Sequence, residues 1–400
     1  MKTYEVAVIG AGWAGLSVSV MLAQKGLGHI VLERGRVGET WRTQRWASFH
    51  MNTPNVLTVL PGDRYEGPAP EGFMSGEDFI SMLESYVKRH SLPVRENTTV
   101  VDVSPADGYF EIRTYDDTMR ADALVVATGN LNIPVRPAIS ERLPSWVLQL
   151  DGADYRDPAS VPDGAILVVG CGDTGGQIAE ELALAGRRVF LSTGRNGRVP
   201  RRFRGRDIFL WMSESQLNRR PRQPGASRAL VGRTGTLSLQ SLSALGVTLV
   251  GRARNVSPNG SIQFDDSLAE SAAFADDLSQ GLKNAIDEYI LREGIEAPEA
   301  EPDPGETVPA RFPDPPITKL DLISEGIRTV IWATGLTGNF SWLNVPGAID
   351  NEGRPLQERS LSVPGVYFIG LDNPEAQRSG TVLAAGHEAE RIVNHLASAR

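Results

Sequence analysis

Two glycine-rich segments have residue types and spacing that suit the binding of phosphate groups. Residues 6–15 read VAVIGAGWAG and residues 166–175 read ILVVGCGDTG, so each is an apolar run followed by Gly-x-Gly-x-x-Gly. This pattern predicts a buried strand that turns into a helix. The first glycine permits the bend, the second lets the backbone approach a pyrophosphate, and the third lets the helix pack on the strand. The first N–H groups of the helix then face the anion.

The two segments form an internal repeat that extends into the helices that follow. Apolar positions at helical spacing agree, and each helix is expected to end at a glycine. A single match of this type is weak, whereas two matches with the same flanks predict two nucleotide sites. The aligned pairs are Gly10 and Gly170, Gly12 and Gly172, Gly15 and Gly175, Val18 and Ile178, Leu22 and Leu182, and Gly26 and Gly186.

The residue at the end of the next strand distinguishes the two sites. In the first repeat it is Glu33, and a carboxylate there suits a hydrogen bond from a ribose 2′-hydroxyl. The equivalent residue of the second repeat is Thr193, in the run Ser192-Thr-Gly-Arg195, whose hydroxyls and guanidinium suit a ribose 2′-phosphate. We therefore expect an unphosphorylated adenosine at the first site and NADP at the second, a combination that points to FAD plus NADPH.

The stretch around Arg195 is strongly basic and contains no acidic residue between positions 187 and 206. We expect some of its arginines to bind the cofactor phosphate, because the run begins at the strand end that faces the predicted phosphate. A solvated surface or an accidental nucleic-acid patch is the alternative, and only Arg195 is placed with any precision. The arginines are Arg187, Arg188, Arg195, Arg198, Arg201, Arg202, Arg204 and Arg206.

Length and composition limit the classes of protein to which the chain can belong. Its 400 residues suggest two to three domains, and 41% apolar with 22% charged residues is typical of a globular chain. A net charge of −9 argues against nucleic-acid binding. Cys171 is the single cysteine, which excludes an intramolecular disulfide, a redox cysteine pair and a Cys-rich zinc cluster. Since neither a long apolar run nor a signal peptide is recognised, we expect a cytoplasmic protein without a membrane span.

Three further strands are predicted, and each ends at a glycine. Residues 123–129 and 328–335 both end in Ala-Thr-Gly, and residues 366–370 form the third run. The shared ending suggests a strand that leaves one nucleotide domain and passes close to a cofactor or to neighbouring backbone, with ordinary turn glycines as the alternative.

The predicted fold is α/β, with two Rossmann-like dinucleotide-binding domains and the NADP domain inserted into the FAD domain. We expect residues 1–155 and 325–400 to form the FAD domain and residues 156–324 the NADP domain. Within the latter, residues 296–316 are acidic and rich in proline and follow a predicted helix at 267–292. They predict an exposed loop that either shapes substrate access or is a passive connector.

The sequence resembles the class B flavin-dependent monooxygenases, which carry FAD and NADPH on one chain. This class includes flavin-containing monooxygenases, YUCCA-type enzymes and Baeyer–Villiger monooxygenases. The resemblance spans nearly the whole chain. Besides the two glycine motifs, it rests on Glu33-Arg34, residues 38–42 (GETWR), residues 45–54 (RWASFHMNTP), residues 200–207 (PRRFRGRD) and the two Ala-Thr-Gly endings.

The resemblance implies roles for particular residues. Asn52 matches a catalytic asparagine beside the reactive flavin edge and the nicotinamide; without the family it reads as a turn residue. The segment that ends at Asp372 is expected to approach the ribityl chain, just before a helix at 381–398, an ordinary surface aspartate being the alternative. The implied FAD contacts are Gly10, Gly12, Gly15, Glu33, Arg34, Thr40, Trp41, Thr53 and Gly129. The implied NADP contacts are Gly170, Gly172, Thr174, Gly175, Gly176, Gln177, Ser192, Thr193 and Arg195.

One motif of the class is poorly kept. The pattern Phe-x-Gly-x-x-x-His-x-x-x-aromatic best matches the stretch that ends at Tyr155, where Ser145, Val147 and Asp151 replace the Phe, Gly and His. Because that histidine belongs to the linker between the domains, its replacement by Asp151 weakens a Baeyer–Villiger assignment.

The activity that the resemblance implies is oxygenation of a small organic molecule. NADPH would reduce FAD, and O2 would add to the reduced flavin to give a flavin hydroperoxide that delivers one oxygen atom. Two alternatives stay open: an NAD(P)H-dependent flavoprotein reductase that inserts no oxygen, and a non-catalytic protein that senses NADPH or redox state. No metal site is expected, and the oligomeric state is open, with a homodimer among the expectations.

Overall fold

The computed structural model describes residues 1–217, 227–356, 363–372 and 381–398. The chain divides into two compact units. Residues 1–43, 55–133 and 336–400 form the first unit, and residues 44–54 and 134–335 form the second. Both units are mixed α/β with a largely or wholly parallel sheet, so the predicted fold class is confirmed.

The first unit is built on a seven-stranded sheet in the order β3-β2-β1-β6-β5-β4, with β21 paired to β6. Strands β1, β2, β6 and β21 run parallel, whereas β4 and β5 are antiparallel additions. The strands are β1 (Lys2–Ile9), β2 (His29–Leu32), β3 (Val94–Arg95), β4 (Val100–Ala106), β5 (Tyr109–Thr114), β6 (Thr118–Val126) and β21 (Val366–Phe368). The helices are α1 (Trp13–Gln24), α2 (Glu39–Thr43), α3 (Gly76–Arg89) and α9 (Val382–Ser398).

The second unit is built on a five-stranded parallel sheet in the order β15-β10-β9-β19-β8. These strands are β8 (Leu148–Asp151), β9 (Ala165–Val169), β10 (Val189–Ser192), β15 (Thr248–Val250) and β19 (Ile327–Trp332). Smaller sheets use β11 (Asn196–Val199), β12 (Arg202–Phe203), β13 (Arg206–Asp207), β14 (Ser227–Val231), β16 (Ala253–Val256), β17 (Ser261–Phe264) and β18 (Lys319–Asp321). The helices are α4 (Asp173–Leu184), α5 (Ile208–Glu214), α6 (Leu239–Ala244), α7 (Leu268–Glu293) and α8 (Pro304–Thr307). Short strands β7 (Ile133–Pro134) and β20 (Leu336–Thr337) lie where the chain leaves and re-enters the first unit.

Strand registers bring the carboxyl ends of neighbouring strands into line. In the first unit Ile9 pairs with both Leu32 and Val126, so the residues that follow β1, β2 and β6 share one edge of the sheet. In the second unit Val169 pairs in the same way with Ser192 and Trp332. Parallel sheets bind nucleotides at this edge.

The boundaries of the two units differ from those expected from the sequence. Strand β19 pairs with β9 and β8, so residues 134–155 and 325–335 fold with the second unit and not with the first. The physical reason is that β8 and β19 complete the parallel sheet between two apolar clusters, one of which contains Val330 and the other Ile331. Residues 44–54 also belong to the second unit.

The acidic, proline-rich loop is anchored to the second unit at its α8 end. The Asp303 carboxylate accepts a hydrogen bond from Thr236, and Ser238 donates to the carbonyl of Gly305. Residues 298–302 remain largely exposed, as expected. In the part of the chain that the structure describes, no helix is long and apolar enough to cross a membrane.

Glu306, on α8, is the main electrostatic anchor of this loop. It accepts hydrogen bonds from Lys283 Nζ at 2.6 Å and from Arg198 Nη2 at 3.1 Å, and a further one from Ser279. Burial by itself raises the pKa of Glu306, but the hydrogen bonds from Lys283 and Ser279 and the attraction to Arg198 together hold that pKa below its ordinary value. The charged form of Glu306 is therefore the one that stabilises the fold.

We expect Glu306→Gln to lower the free energy of unfolding by about 2–3 kcal/mol at pH 7, because it leaves buried Arg198 short of a charged partner. Since the folded-state pKa of Glu306 is depressed, its contribution is present above the ordinary glutamate pKa and is lost as pH falls through the folded-state value. Urea unfolding of both proteins at several pH values measures this difference, with Glu301→Gln on the exposed part of the loop as the control. If the two proteins differed in free energy of unfolding by the same amount at pH 7 and at pH 3, the charged form of Glu306 would not be the source of the stabilisation.

Candidate functional site

The first glycine-rich turn brings three backbone segments so close together that no side chain fits between them. Gly10 has φ +107°, and a Cβ added there would lie 2.6 Å from the carbonyl oxygen of Ala127. A Cβ on Gly15 would lie 2.0 Å from the carbonyl oxygen of Gly10. A Cβ on Gly12 meets no heavy atom within 4 Å. Gly12 therefore faces open space in front of the helix, where a ligand can approach the backbone.

The second turn has the same backbone geometry. Gly170 has φ +105°, and an added Cβ would lie 2.4 Å from the carbonyl oxygen of Ala333. A Cβ on Gly175 would lie 1.8 Å from the carbonyl oxygen of Gly170. Ala127 and Ala333 open the two Ala-Thr-Gly endings, so the predicted passage of these strands close to neighbouring backbone is confirmed.

Helices α1 and α4 both begin without a side-chain cap. Their N-cap residues are Gly12 and Gly172, both with extended backbone and without a side chain that could accept from the first N–H groups. Unsatisfied N–H groups at a helix start attract an anion. The two turns therefore fit the pyrophosphates of two dinucleotides.

Glu33 lies where the sequence places it, at the end of β2 and beside the first turn. The residue is 8% exposed, and its carboxylate accepts from the backbone N–H of Ala11 at 2.8 Å through Oε2 and from that of Gly35 at 3.0 Å through Oε1. A carboxylate has about four acceptor positions, so two remain for the hydroxyls of a ribose.

The other predicted flavin contacts of the first unit differ in how far they are exposed. Arg34 is exposed, Thr40 and Trp41 are half-buried on α2, and the Trp41 ring meets Phe79 edge-on at 4.9 Å. A Cβ on Gly129 (φ +69°) would meet open space. Their roles as FAD contacts stay predictions.

Asp372 is held by a residue that the sequence reasoning missed. Asn130 Nδ2 donates to the carbonyl of Asp372 at 2.8 Å, and the Asp372 N–H donates to Asn130 Oδ1 at 2.8 Å. A Cβ on nearby Gly370 would lie 2.5 Å from Cβ of Ala14, which places this segment against the start of α1. The signal was available, because Asn130 directly follows the first Ala-Thr-Gly ending.

Asn52 lies beside the second turn, within the second unit. Its Nδ2 donates to Asp173 Oδ2 at 3.3 Å, and its Oδ1 accepts from Gln177 Nε2 at 3.1 Å. Its carbonyl accepts from Arg201 Nη1 at 3.0 Å. Thr53 is half-buried in the same segment. Asn52 therefore makes more contacts than a simple turn residue requires, and it lies next to the N-terminus of α4.

Most arginines of the basic stretch are ion-paired or hydrogen-bonded within the second unit, although Arg188, Arg195 and Arg202 are exposed. Seven of its eight arginines bond to carboxylates or carbonyls of the unit. The partners are carbonyls of residues 158–164 for Arg187, Glu325 for Arg188, Asp276 and Glu306 for Arg198, Asp207 for Arg201, the Gly205 carbonyl for Arg202, Asp287 for Arg204 and Glu214 for Arg206.

Arg195 differs from these seven arginines. It is exposed, and its guanidinium carbon lies 4.5 Å from the centre of the Phe274 ring. Among the described residues no carboxylate forms an ion pair with it. It follows β10 at the edge of the sheet that carries the second turn, so it is the arginine best placed for an added phosphate.

Three predicted NADP contacts, Ser192, Thr193 and Gly176, have close partners within the protein, and their roles in NADP binding stay predictions. The Ser192 hydroxyl donates to Gly251 O at 2.9 Å and accepts from Ala253 N–H at 3.1 Å, and the Thr193 hydroxyl donates to Val250 O at 2.9 Å. Both side chains are buried, so they connect β10 to β15 and the chain after it. A Cβ on Gly176 would lie 2.2 Å from Leu230, so this glycine serves the packing of α4 against β14.

Other residues of the family motifs have definite partners in the second unit. Asp151 forms a two-point ion pair with Arg136, at 2.6 and 3.0 Å. Tyr155 donates to Glu181 Oε2 at 2.7 Å; burial and this hydrogen bond raise the pKa of Tyr155, so the hydroxyl stays protonated. Thr174 is half-buried in the first turn of α4.

Cys171, within the second turn, is buried. Burial raises the pKa of its thiol to about 11. It is therefore a packed thiol and not a reactive one.

We expect Gly12→Val to fold normally but to weaken FAD binding about tenfold or more, because the side chain would occupy the open space before α1. Gly15→Ala, in contrast, should lower the free energy of unfolding by about 1–3 kcal/mol or more, because its Cβ meets the backbone. Flavin absorbance per mole of purified protein and the melting temperature separate the two effects. Full flavin content in Gly12→Val would contradict this location of the pyrophosphate.

Comparison with known proteins identifies a family and several relatives of this chain. The sequence profile of a family described as pyridine nucleotide-disulphide oxidoreductase matches residues 7–214, more than half of the chain. An uncharacterized oxidoreductase named CzcO-like, from Geobacillus kaustophilus (strain HTA426), is 29% identical over 98% of each chain.

Two named monooxygenases are also similar. One named probable indole-3-pyruvate monooxygenase YUCCA4, from Arabidopsis thaliana, is 28% identical over 44% of this chain and 43% of its own length. A solved structure, a flavin-containing monooxygenase from Stenotrophomonas maltophilia, superposes with a TM-score of 0.69 at 19% identity, covering 100% of this chain and 99% of that one. At that identity the structural likeness concerns the fold alone.

Proposed function

Because this chain belongs to the pyridine nucleotide-disulphide oxidoreductase family and is a protein of the class B flavin monooxygenase type, we propose that it is an NADPH- and FAD-dependent monooxygenase that inserts one oxygen atom of O2 into a small organic substrate. It is an oxidoreductase that uses a flavin and a nicotinamide cofactor. The observation that carries the proposal is the pair of matching glycine turns, one beside a carboxylate and the other near an exposed arginine.

FAD would be held by the first unit. The uncapped N-terminus of α1 would receive its pyrophosphate, and the free acceptor positions of Glu33 would bind ribose hydroxyls. The segment that contains Gly370 lies against the start of α1, and Asp372, whose backbone is held by Asn130, would approach the ribityl chain. When bound, FAD supplies hydride acceptance and electron transfer to oxygen.

NADPH would be held by the second unit. The N-terminus of α4 would receive its pyrophosphate, and Arg195 would pair with the 2′-phosphate. The Phe274 ring beneath Arg195 orients the guanidinium and leaves its N–H edges exposed. Asn52 is the residue that the resemblance assigns to the reacting ends of the two cofactors, and it lies beside the same helix terminus.

A disulfide-reducing activity, which the family description would allow, does not suit this chain. It has one cysteine, Cys171, which is buried and has a raised pKa. A flavoprotein reductase that transfers electrons to another acceptor is the alternative activity, and a non-catalytic NADPH sensor is the third. The cytoplasmic location and the homodimer stay predictions.

Arg195→Ala should raise the dissociation constant of NADPH about 10- to 100-fold and leave that of NADH unchanged, because it removes charge-assisted bonds worth about 1.5–3 kcal/mol. Arg188→Ala is the matched control, since Arg188 lies in the same basic stretch but pairs with Glu325. Calorimetric titration of both coenzymes measures the change. Equal weakening of NADPH and NADH by Arg195→Ala would show that the phosphate binds elsewhere.

The activity itself is tested by incubating the FAD-loaded protein with NADPH and ¹⁸O2 against amines, sulfides, ketones and keto acids. We expect one substrate class to gain a single labelled oxygen atom in proportion to NADPH consumed. NADPH oxidation that yields only hydrogen peroxide or a reduced acceptor, with no labelled product, would favour the reductase. A flavin that NADPH does not reduce would leave only the sensor.

A further inference from the structure

The Gln177 side chain contacts Asn52. Its Nε2 donates both to Asn52 Oδ1 at 3.1 Å and to the carbonyl of Val231 at 2.7 Å. We propose that Gln177 is a positioning residue that fixes the orientation of the Asn52 amide, a role that rests on the proposed function of the site. This role differs from the NADP contact that the resemblance implies for Gln177.

The two partners of the Asn52 side chain select one of its two amide orientations. The carboxylate of Asp173 accepts hydrogen bonds, so it faces Nδ2; the amide nitrogen of Gln177 donates, so it faces Oδ1. Rotating the amide by half a turn would set the Asn52 oxygen against the Asp173 carboxylate and its NH2 group against the Gln177 NH2 group. Both contacts would be repulsive, so this pair of neighbours determines the orientation.

The backbone of Asn52 is fixed as firmly as its side chain. Arg201 donates to its carbonyl, and the Arg201 side chain is 2% exposed and forms an ion pair with buried Asp207 at 2.6 Å. The amide therefore has little freedom besides rotation about its own bonds, and Gln177 removes that freedom.

One face of α4 holds the segment that carries Asn52 at two points. Gln177 and Glu181 are four residues apart and so lie on the same side of the helix. Glu181 accepts from Ser48 Oγ at 2.6 Å and from Tyr155 at 2.7 Å. The helix that would receive the coenzyme pyrophosphate at its N-terminus therefore also fixes residues 44–54, and the coenzyme and Asn52 are positioned by the same element.

This role predicts a loss of rate without a loss of binding. In the FAD-loaded protein, Gln177→Met should slow flavin reduction at saturating NADPH about tenfold or more, because Asn52 can then rotate. The dissociation constant of NADP⁺, measured by calorimetry, should change less than about threefold, because Gln177 would not touch the coenzyme. Gln177→Glu keeps the shape but replaces the donor with an acceptor, so at pH 8 it should not restore the rate.

A double-mutant cycle identifies the residue through which Gln177 acts. If it acts through Asn52, Gln177→Met should have no further effect in an Asn52→Ala background. Gln149→Met is the matched control: Gln149 also bridges two groups of the second unit, Ser140 O and Trp332 Nε1, at 3.2 and 2.9 Å. It should lower the melting temperature without changing the rate of flavin reduction.

The outcomes separate this assignment from the proposed function. Additive effects of the two substitutions, a wild-type rate in Gln177→Glu, or a rise in the NADP⁺ dissociation constant that accounts for the lost rate would overturn the positioning role alone. If Gln177→Met does not fold, the Gln177→Glu variant decides by the same measurements. Failure of NADPH to reduce the wild-type flavin would overturn the proposed function and this role with it.

Discussion

The structure depends on one steric constraint, the contact of backbone with backbone at each glycine turn. At Gly15 and Gly175 an added Cβ would lie 2.0 and 1.8 Å from a carbonyl oxygen, so strand and helix meet with no side chain between them. This contact aims the helix N-terminus at the sheet edge where neighbouring strands also end. Anion binding by the helix and the placement of the polar residues beside it both follow from that arrangement.

The features that the sequence predicted are those in which local backbone geometry restricts residue type. A turn that admits only glycine is visible in one short segment, and its repetition made the α/β fold with two units predictable. Glu33 was predictable for a related reason, because it follows a short apolar strand directly. The unit boundaries were not, since the apolar pattern of β19 shows that the strand is buried but not which sheet it joins.

The polar residues of the second unit were harder to predict because their partners are distant in the chain. Eight arginines in one stretch suggest a phosphate site, yet Arg198 pairs with Asp276 and Glu306 and Arg204 pairs with Asp287, all far along the sequence. The Ser192 hydroxyl likewise has its partners far along the chain, at Gly251 and Ala253. Residue type shows what a side chain can bond, and only the fold shows which partner it has.

The single cysteine and the contacts of Asn52 bear on which activities the chain can have. Cys171 is the one thiol of the chain and lies buried in a turn, with its pKa raised to about 11, so a flavin reduced by NADPH could not transfer electrons to a disulfide of this protein. Asn52 lies beside α4, where Asp173, Gln177 and Arg201 all bond to it, next to the proposed coenzyme site. Such order is needed where reacting groups are aligned, which favours an enzyme over a sensor that only binds.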